Sequence, residues 1–277
     1  MDVRLQLRAR RIARTVLFAV SRIGLWWVLA LVLLSVDPPV TPPLLFRLML
    51  VLVVLPGLAA AVLRGRPATA AIKEGMLVLS QGRTRLEVPC EAIAGLRSSP
   101  VPLPDVGLVL LLRSGRRIVP GLESDDPAPL LDALAAAGAA PAAATRRRPA
   151  VVMAAARSQV RRRWWDHPLV KFGLVALLPA GVLFNVHQHI SFGGFWGEYY
   201  TYGARAWLRT LGVYYAATVI YCVLWASVWR GLGEGAALAA AAVAPTHAAW
   251  VRRAVETICR LAYYAGVPIL LLIRFLP

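Results

Sequence analysis

Charged residues are scarce in this chain. Asp, Glu, Lys and Arg make up 16% of its 277 residues, whereas hydrophobic residues make up 58%. The mean hydropathy of +0.62 is correspondingly high. Because so much apolar surface needs a non-aqueous solvent, the composition excludes a chain made only of soluble globular domains and indicates that a lipid bilayer is its main environment.

Cysteine is scarce as well, and the three that occur, Cys90, Cys222 and Cys259, lie far apart in sequence. Their spacing fits neither a zinc site nor a redox dithiol, and it implies no disulfide framework. The region 70–138 also lacks a nucleophile elbow, a phosphate-binding loop and an HExxH motif. These absences favour a non-enzymatic protein over an enzyme, and they leave the cofactor and the metal unknown.

Acidic residues are outnumbered, with 14 Asp+Glu against 31 Lys+Arg and a formal charge of +17. Such a charge is typical of proteins that bind nucleic acid or anionic lipid. The arginines cluster beside apolar segments, around residues 8–11 and 161–163, where the positive-inside rule places them on the cytoplasmic side. We therefore predict membrane lipids as the partner of these clusters, and no nucleic-acid partner.

Five apolar segments are long enough to cross a hydrocarbon core of about 30 Å, which takes about 20 helical residues. They are residues 16–36, 44–63, 169–186, 206–229 and 258–276. The Pro-rich turn 37–43 carries no Lys or Arg, so the first two segments form a hairpin with its tip outside. The other basic residues follow the same rule. Together with the Arg- and Ala-rich usage, they predict a multi-pass bacterial inner-membrane protein with a cytoplasmic N-terminus and an outside C-terminus.

Between the hairpin and the third span, short apolar runs alternate with turn signals. The predicted strands are residues 75–80, 83–88, 93–98, 107–113 and 116–119. Gly82 and Gly115 mark hairpin turns, and Ser124 opens a helix that stops at Gly138. This pattern predicts a small cytoplasmic β-barrel or sandwich followed by a C-terminal helix.

The apolar runs 75–79, 86–89 and 107–112, the Gly turn that follows and the helix 127–134 occur in an order that resembles the bacterial pleckstrin-homology-like domains. Such domains commonly follow a transmembrane hairpin. The resemblance covers about a quarter of the chain, and it implies a fold rather than a catalytic site. Seven strands would be usual, so either the barrel is truncated or further strands lie near Val101.

The chain is thus predicted to have four regions: an N-terminal transmembrane hairpin (1–69), a pleckstrin-homology-like domain (70–138), an Ala/Pro/Arg linker with an interfacial helix (139–168) and a three-helix membrane domain (169–277). An amphipathic helix is predicted over residues 151–165. Its end combines cations for lipid headgroups with indoles for the aromatic belt. The predicted headgroup contacts are Arg161, Arg162, Arg163, Trp164 and Trp165. A second interfacial or cytoplasmic helix is predicted over residues 236–244.

The most unusual segment, residues 185–200, lies at the outer end of the third span. His187 and His189 point to opposite sides of a helix but to one side of an extended strand, so they bind one metal only where the helix has ended. Glu198 then supplies a third ligand or a base, beside Tyr199 and Tyr200. The alternative is that these residues anchor the chain at the membrane interface.

Two functions are consistent with these patterns. The first is a non-enzymatic accessory or scaffolding subunit of a membrane complex, which engages lipid headgroups or a cytoplasmic partner. The second is a membrane-embedded enzyme or transport component that uses His187, His189 and Glu198. Convergence of these three side chains would distinguish the second from the first. No recognisable motif identifies the partner, the ligand or the oligomeric state.

Overall fold

The computed structural model describes residues 1–34, 42–99, 105–119, 121–161 and 163–269. The structure is 68% helical and contains a curled, antiparallel half-barrel sheet of seven strands. It forms two compact units. Unit 1 comprises Met1–Ser21, Leu55–Arg161 and Gly233–Glu256, and unit 2 comprises the described parts of Arg22–Val54, Arg162–Leu232 and Thr257–Pro277.

The sheet of unit 1 has antiparallel strands in the order β4-β3-β2-β1-β7-β6-β5. The strands are β1 Asp2–Gln6, β2 Arg66–Lys73, β3 Met76–Gln81, β4 Thr84–Pro89, β5 Ile93–Ser98, β6 Val106–Leu112 and β7 Gly121–Ser124. The short strand β1 is central, because Arg4 pairs with Pro67 of β2 on one side and with Glu123 of β7 on the other. Residues that precede the first long helix therefore join the two halves of the sheet.

Four of the five predicted strands are confirmed as β3, β4, β5 and β6. The predicted strand 116–119 is confirmed only as a short pairing with the end of β6, because Arg117 bridges to Leu111 and the N–H groups of Leu112 and Ile118 donate to the carbonyl oxygens of Arg116 and Leu110. It does not extend into a strand of its own, and the next strand begins at Gly121. Strands β1 and β2 were not predicted. The first has only five residues beside a basic cluster, and the second is rich in Ala, a weak strand former. The predicted strands near Val101 lie outside the described residues.

Three helices cover the sheet: α4 Ala128–Ala136, α5 Pro141–Arg146 and α6 Pro149–Ser158. Their buried side chains, including Leu131, Leu134 and Val151, join the apolar core of the strands. Thr145 also donates a buried hydrogen bond to the carbonyl oxygen of Leu96, at 2.9 Å. The predicted linker character of residues 139–150 is therefore wrong. Alanine lacks bulk, but it is the best helix former, and its small size lets these helices approach the sheet closely.

Helix α1, Arg8–Leu33, is joined to the sheet by a buried ionic cluster. The Arg14 guanidinium donates to both carboxylate oxygens of Glu123, at 2.9 and 3.1 Å, and to Asp105, at 2.7 Å. Glu123 is only 1% exposed. Burial raises the pKa of its carboxyl group, and the charge of Arg14 opposes that shift. A side chain at Gly107 would overlap the Arg11 guanidinium, which would have to move.

Among the described residues, four helical stretches are long and apolar enough to cross a membrane: Arg8–Val32, Pro43–Val62, Leu169–Phe192 and Gly197–Val243. The second stretch combines α2 Pro42–Met49, the π-helical Leu50–Val54 and α3 Leu55–Val62. The third stretch combines the π-helical Leu169–Leu174 and α7 Val175–Phe192. The fourth stretch is α8 Gly197–Val243. Helix α8 bends at Gly203, where φ is +84°.

Four of the five predicted spans therefore coincide with apolar helices. The fifth, residues 258–276, overlaps helix α9, Ala248–Tyr264. Its residues 270–276 lie outside the described part of the chain, as do residues 37–41 of the predicted hairpin tip and residues 35 and 36 of the first predicted span. The predicted helix 236–244 is helical through Val243, but these residues continue α8 rather than form a helix of their own. Ala237 and Ala241 pack against Met153 and Ala156 of α6.

Unit 2 contains two apolar clusters of its own. Leu25 and Val28 of α1 pack against Leu45 and Met49 of α2 and against Leu224 of α8. A second cluster gathers around Ala176, Cys222 and Tyr263. Many other large apolar side chains on these helices are exposed.

We expect Arg14→Leu to weaken unit 1, because it leaves the buried Glu123 carboxylate without its closest cation. Loss of one partner of a buried pair costs about 3 kcal/mol or more. Cys90 is buried in the same core, so its thiol labelling reports local unfolding. In a chain with Cys222→Ala and Cys259→Ala, Arg14→Leu should accelerate labelling of Cys90 about 100-fold, at about 1.4 kcal/mol per tenfold.

The matched control is Arg10→Leu, which removes the same charge from an exposed position of the same helix. Labelling of Cys90 should then stay within about threefold of the parent chain. Equal acceleration by both substitutions would show that charge loss, rather than the buried pair, weakens the unit.

Candidate functional site

The predicted headgroup segment lies in unit 2 just before the π-helical residues Leu169–Leu174, except for Arg161, which ends a segment of unit 1. Trp164–Asp166 form one turn of 3-10 helix. The turn is closed locally, because the backbone N–H of Arg163 donates to the Asp166 carboxylate at 3.0 Å. An acidic residue at the third position of a helical turn satisfies an N–H group that would otherwise lack a partner.

Helix α9 holds this turn in place through two contacts. Arg260 donates to both oxygens of Asp166, at 2.7 Å from Nη2 and 3.2 Å from Nε. The Tyr264 hydroxyl donates to the carbonyl oxygen of Trp165 at 2.6 Å. Burial alone would raise the pKa of Asp166, but the hydrogen bonds from Arg260 and from the Arg163 backbone outweigh it and lower that pKa.

The side chains of this segment combine charge and apolar surface. Trp164 is 70% exposed, and Arg161 and Arg163 are exposed as well. The Arg163 guanidinium lies over the ring of Trp165, 4.9 Å from its centroid. Exposed cations beside indole rings suit a headgroup region. Arg162, the remaining predicted contact, lies outside the described residues.

The predicted amphipathic helix 151–165 differs from the structure. Helix α6 ends at Ser158, and its Val151, Met153 and Ala154 are buried in unit 1 rather than presented to a membrane. The apolar positions were read correctly, but the surface that they cover is the sheet and the end of α8. The aromatic residues at 164 and 165 belong to the next turn.

The outer segment stays helical through both predicted histidine ligands. Helix α7 ends at Phe192, and Gly193 adopts the left-handed conformation that ends many helices. The His187 ring contacts Tyr214, with 5.2 Å between ring centroids, whereas His189 Nδ1 lies 2.9 Å from the carbonyl oxygen of Asn185. The two imidazoles therefore occupy different environments, as expected on an uninterrupted helix.

Glu198 does not complete a metal site with these histidines. Across the described ranges, His, Cys, Asp and Glu side chains nowhere form a group of three that fits a metal ion. Tyr199 and Tyr200 follow Glu198, but they are exposed at the surface, by 42% and 81%. The convergence required for a catalytic or metal site on this segment is absent from the described structure.

Glu198 instead bonds to Gln188, a residue that the sequence did not single out. Gln188 is fully buried, and its Nε2 donates to Glu198 Oε2 at 2.5 Å. The Thr210 hydroxyl donates to the other carboxylate oxygen at 2.7 Å. The available signal was helical spacing, since Ala180, Phe184 and Gln188 recur every four residues on the buried face of α7.

Aromatic rings of α7, of the turn after it and of α8 contact one another. Phe184 makes edge contacts with Phe195 and Trp207, and Trp196 stacks on Trp207 with 5.1 Å between centroids. The Trp207 indole N–H donates to the carbonyl oxygen of Phe195 at 3.1 Å. These contacts fix the turn between α7 and α8, so the cluster acts as a rigid joint between the two helices.

A cleft of about 760 Å³ lies in unit 1 beside β1, β2 and the chain between β7 and α4. Its lining includes Arg4, Thr69, Ser80 and Asp125. Arg4 lies 3.7 Å from Asp125 and 3.6 Å from Asp105. The Arg4 guanidinium therefore already faces carboxylates of the same unit.

A comparison of the chain with family models, curated proteins and solved structures finds no match. The resemblance to pleckstrin-homology-like domains therefore stays a prediction.

We expect Gln188→Leu to destabilise unit 2, because it removes a buried donor from the Glu198 carboxylate. A hydrogen bond to a charged group is worth about 1.5–3 kcal/mol. Thermal unfolding of the purified chain should show a lower midpoint by several degrees. His189→Ala is the matched control on the same helix, and its midpoint should stay close to that of the parent. A larger loss for His189→Ala would contradict this account of the segment.

The Asp166 pair should make stability depend on pH in the acid range. The pKa of Asp166 is lower in the folded chain than its ordinary value of 3.8, so the folded state binds fewer protons there. The contribution of the ionised Asp166 carboxylate to the free energy of unfolding is complete above the ordinary pKa of 3.8. It is lost as the pH falls through the lowered pKa of the folded chain. Asp166→Asn should therefore lower the unfolding midpoint at pH 7, and its difference from the parent should narrow below about pH 4.

The control for this pH series is Asp132→Asn, which makes the same change in a carboxylate whose side chain is 62% exposed and pairs with Arg146. Exposed pairs contribute little, so its midpoint should follow that of the parent at every pH. A difference for Asp166→Asn that stays constant down to pH 3 would refute the proposed pH dependence.

Proposed function

We propose that this chain is a non-enzymatic, multi-pass protein of a bacterial inner membrane, and that it serves as an accessory or scaffolding subunit of a membrane complex. In this proposal the arginine–tryptophan segment, residues 161–165, contacts lipid headgroups on the cytoplasmic side. The observation that carries the proposal is the exposed apolar surface of the four long helices.

Helix α7 and the π-helical turn before it illustrate this surface. Leu169, Leu178 and Ile190 are 75%, 64% and 80% exposed. Only 22% of the most apolar window of Leu169–Phe192 is buried. Its 24 residues extend about 36 Å, slightly more than the hydrocarbon core. In water such a surface would drive aggregation, whereas lipid chains solvate it at no cost.

The distribution of arginine supports the proposed orientation. Basic residues flank the apolar helices at residues 8–14, 64–66 and 157–163, whereas the predicted outer loop 187–205 contains one Arg and no Lys. By the positive-inside rule, the first group lies in the cytoplasm and the second outside. The same rule gives the sheet of unit 1 a cytoplasmic address.

The proposed pleckstrin-homology-like character of the sheet is supported by its strand count. Seven antiparallel strands followed by helix α4 match the number that the resemblance leads one to expect. The proposed non-enzymatic character rests on the sequence of residues 70–138, which contains no catalytic motif. The Glu198 carboxylate forms its hydrogen bonds with Gln188 and Thr210.

The experiment is gentle detergent extraction of the tagged full chain from its native membrane, followed by mass spectrometry and metal analysis. The proposal expects a protein partner near stoichiometric amounts. A monomeric chain that turns over a substrate would overturn it. So would a bound transition metal that is lost in a His187→Ala, His189→Ala double variant.

The lipid contact has its own test. We expect Arg161→Gln with Arg163→Gln to weaken anionic-lipid binding by about 2 kcal/mol, or roughly 30-fold, since each basic residue near a membrane is worth about 1 kcal/mol. The measurement is titration of anionic lipid into nanodiscs of neutral lipid that contain the chain, with tryptophan fluorescence as the readout.

The control pair is Arg116→Gln with Arg117→Gln, which removes two exposed charges from a sheet turn. Its effect on lipid binding should be less than about threefold, because these residues do not adjoin an apolar helix. An equal loss in both double variants would mean that net charge, and not the segment, attracts the lipid.

A further inference from the structure

Strand β4, Thr84–Pro89, forms one end of the sheet and pairs only with β3 in the part of the chain that the structure describes. Leu86 lies opposite Leu79, which is buried, yet Leu86 is 42% exposed. The Arg85 and Glu87 side chains are 60% and 45% exposed. An edge strand with an exposed leucine is a surface on which another strand can pair.

The hydrogen-bonding direction of β4 follows from its hairpin with β3. Gln81 and Thr84 flank a two-residue turn and pair with each other, which makes them a hydrogen-bonded pair. The N–H of Cys90 donates to the Gly75 carbonyl at 2.8 Å. This bond lies where the alternation of hydrogen-bonded and non-hydrogen-bonded pairs, counted from Gln81 and Thr84, places a hydrogen-bonded pair. Residues 84, 86 and 88 therefore bond to β3, whereas Arg85 and Glu87 present their backbone groups to the free edge.

Charge along the edge is self-complementary. Arg85 and Glu87 flank Leu86 and share one face of the strand, where their side chains lie 2.6 Å apart. A two-fold axis at Leu86 would place Arg85 opposite Glu87 of a second copy, and Glu87 opposite its Arg85. The same two residues carry the free backbone groups, so one register satisfies both the charges and the four backbone hydrogen bonds.

We propose that β4 pairs antiparallel with β4 of a second copy of this chain, in the register centred on Leu86. The two leucines then cover each other at the edge of the core. Pro89 lacks an N–H group, which ends the ladder on that side. The contact is short, so we expect a stable dimer only where both copies share one membrane, and this expectation rests on the proposed function.

Cysteine cross-linking tests the register. Leu86→Cys places two thiols at a non-hydrogen-bonded pair, with a Cα separation of about 4.5 Å that permits a disulfide. Thr84→Cys is the matched control, because four residues of offset separate its two copies by about 14 Å. Full chains in native membranes, all with Cys259→Ala, should give at least about tenfold more disulfide dimer for Leu86→Cys.

Equal yields would overturn the proposal, as would a disulfide from Leu86→Cys to a different protein. Recovery of the chain in the membrane fraction is measured on the same samples. A chain that is absent from that fraction contradicts the proposed function, whereas a membrane-bound chain without the dimer contradicts the strand pairing alone.

Charge reversal tests the self-complementarity. In the Leu86→Cys background, Arg85→Glu makes both edge charges negative, and Glu87→Arg makes both positive. Each should reduce disulfide dimer about tenfold by itself. Co-expression of the two variants should restore it as a mixed dimer, because opposite edges then meet. Single variants that cross-link like the parent, or a mixture that recovers nothing, would overturn the proposal; recovery also excludes misfolding as the cause of the loss.

Discussion

The exposed apolar surface of the long helices is the constraint on which the rest of the molecule depends. A helix satisfies its backbone hydrogen bonds internally, so it can enter lipid without stranding polar groups. Irregularities within these helices are local: Pro179 lies inside α7, and Gly203 bends α8 near its start. Two ionic groups of unit 2 lie near helix ends: Asp166 pairs with Arg260 near the end of α9, and Glu198 forms its hydrogen bonds at the start of α8.

Unit 1 differs from the long helices, because its core is formed by a short sheet and alanine-rich helices. Small side chains such as Ala139, Ala142 and Ala154 let the helices lie close to the strands. Arg14 then joins the start of α1 to Glu123 of β7 through a buried pair. Such a pair specifies one arrangement, since either partner alone would be a buried charge. The N-terminal strand and the first apolar helix are thus part of the sheet's construction.

The parts that were predictable from sequence are those with a long or repeated signal. Apolar runs of about 20 residues identified the long apolar helices, and Gly82 marked the β3–β4 hairpin. Strand β1 was missed because five residues beside an arginine cluster carry little periodic signal. Residues 139–150 were misread because Ala and Pro occur in linkers as well as in short packed helices. At the outer segment, the unusual histidines drew attention, whereas the buried contact is made by Gln188, whose role depends on which helix face is covered.

We propose that the helices cross a membrane with the arginine–tryptophan segment inside and the α7–α8 turn outside. The most direct measurement is labelling of Trp164→Cys and Tyr200→Cys, both exposed positions, in Cys259→Ala chains with a thiol reagent that does not cross membranes. In intact cells, we expect labelling at position 200 only. In inverted membrane vesicles, we expect labelling at position 164 only. Labelling of both positions from the same side would contradict it.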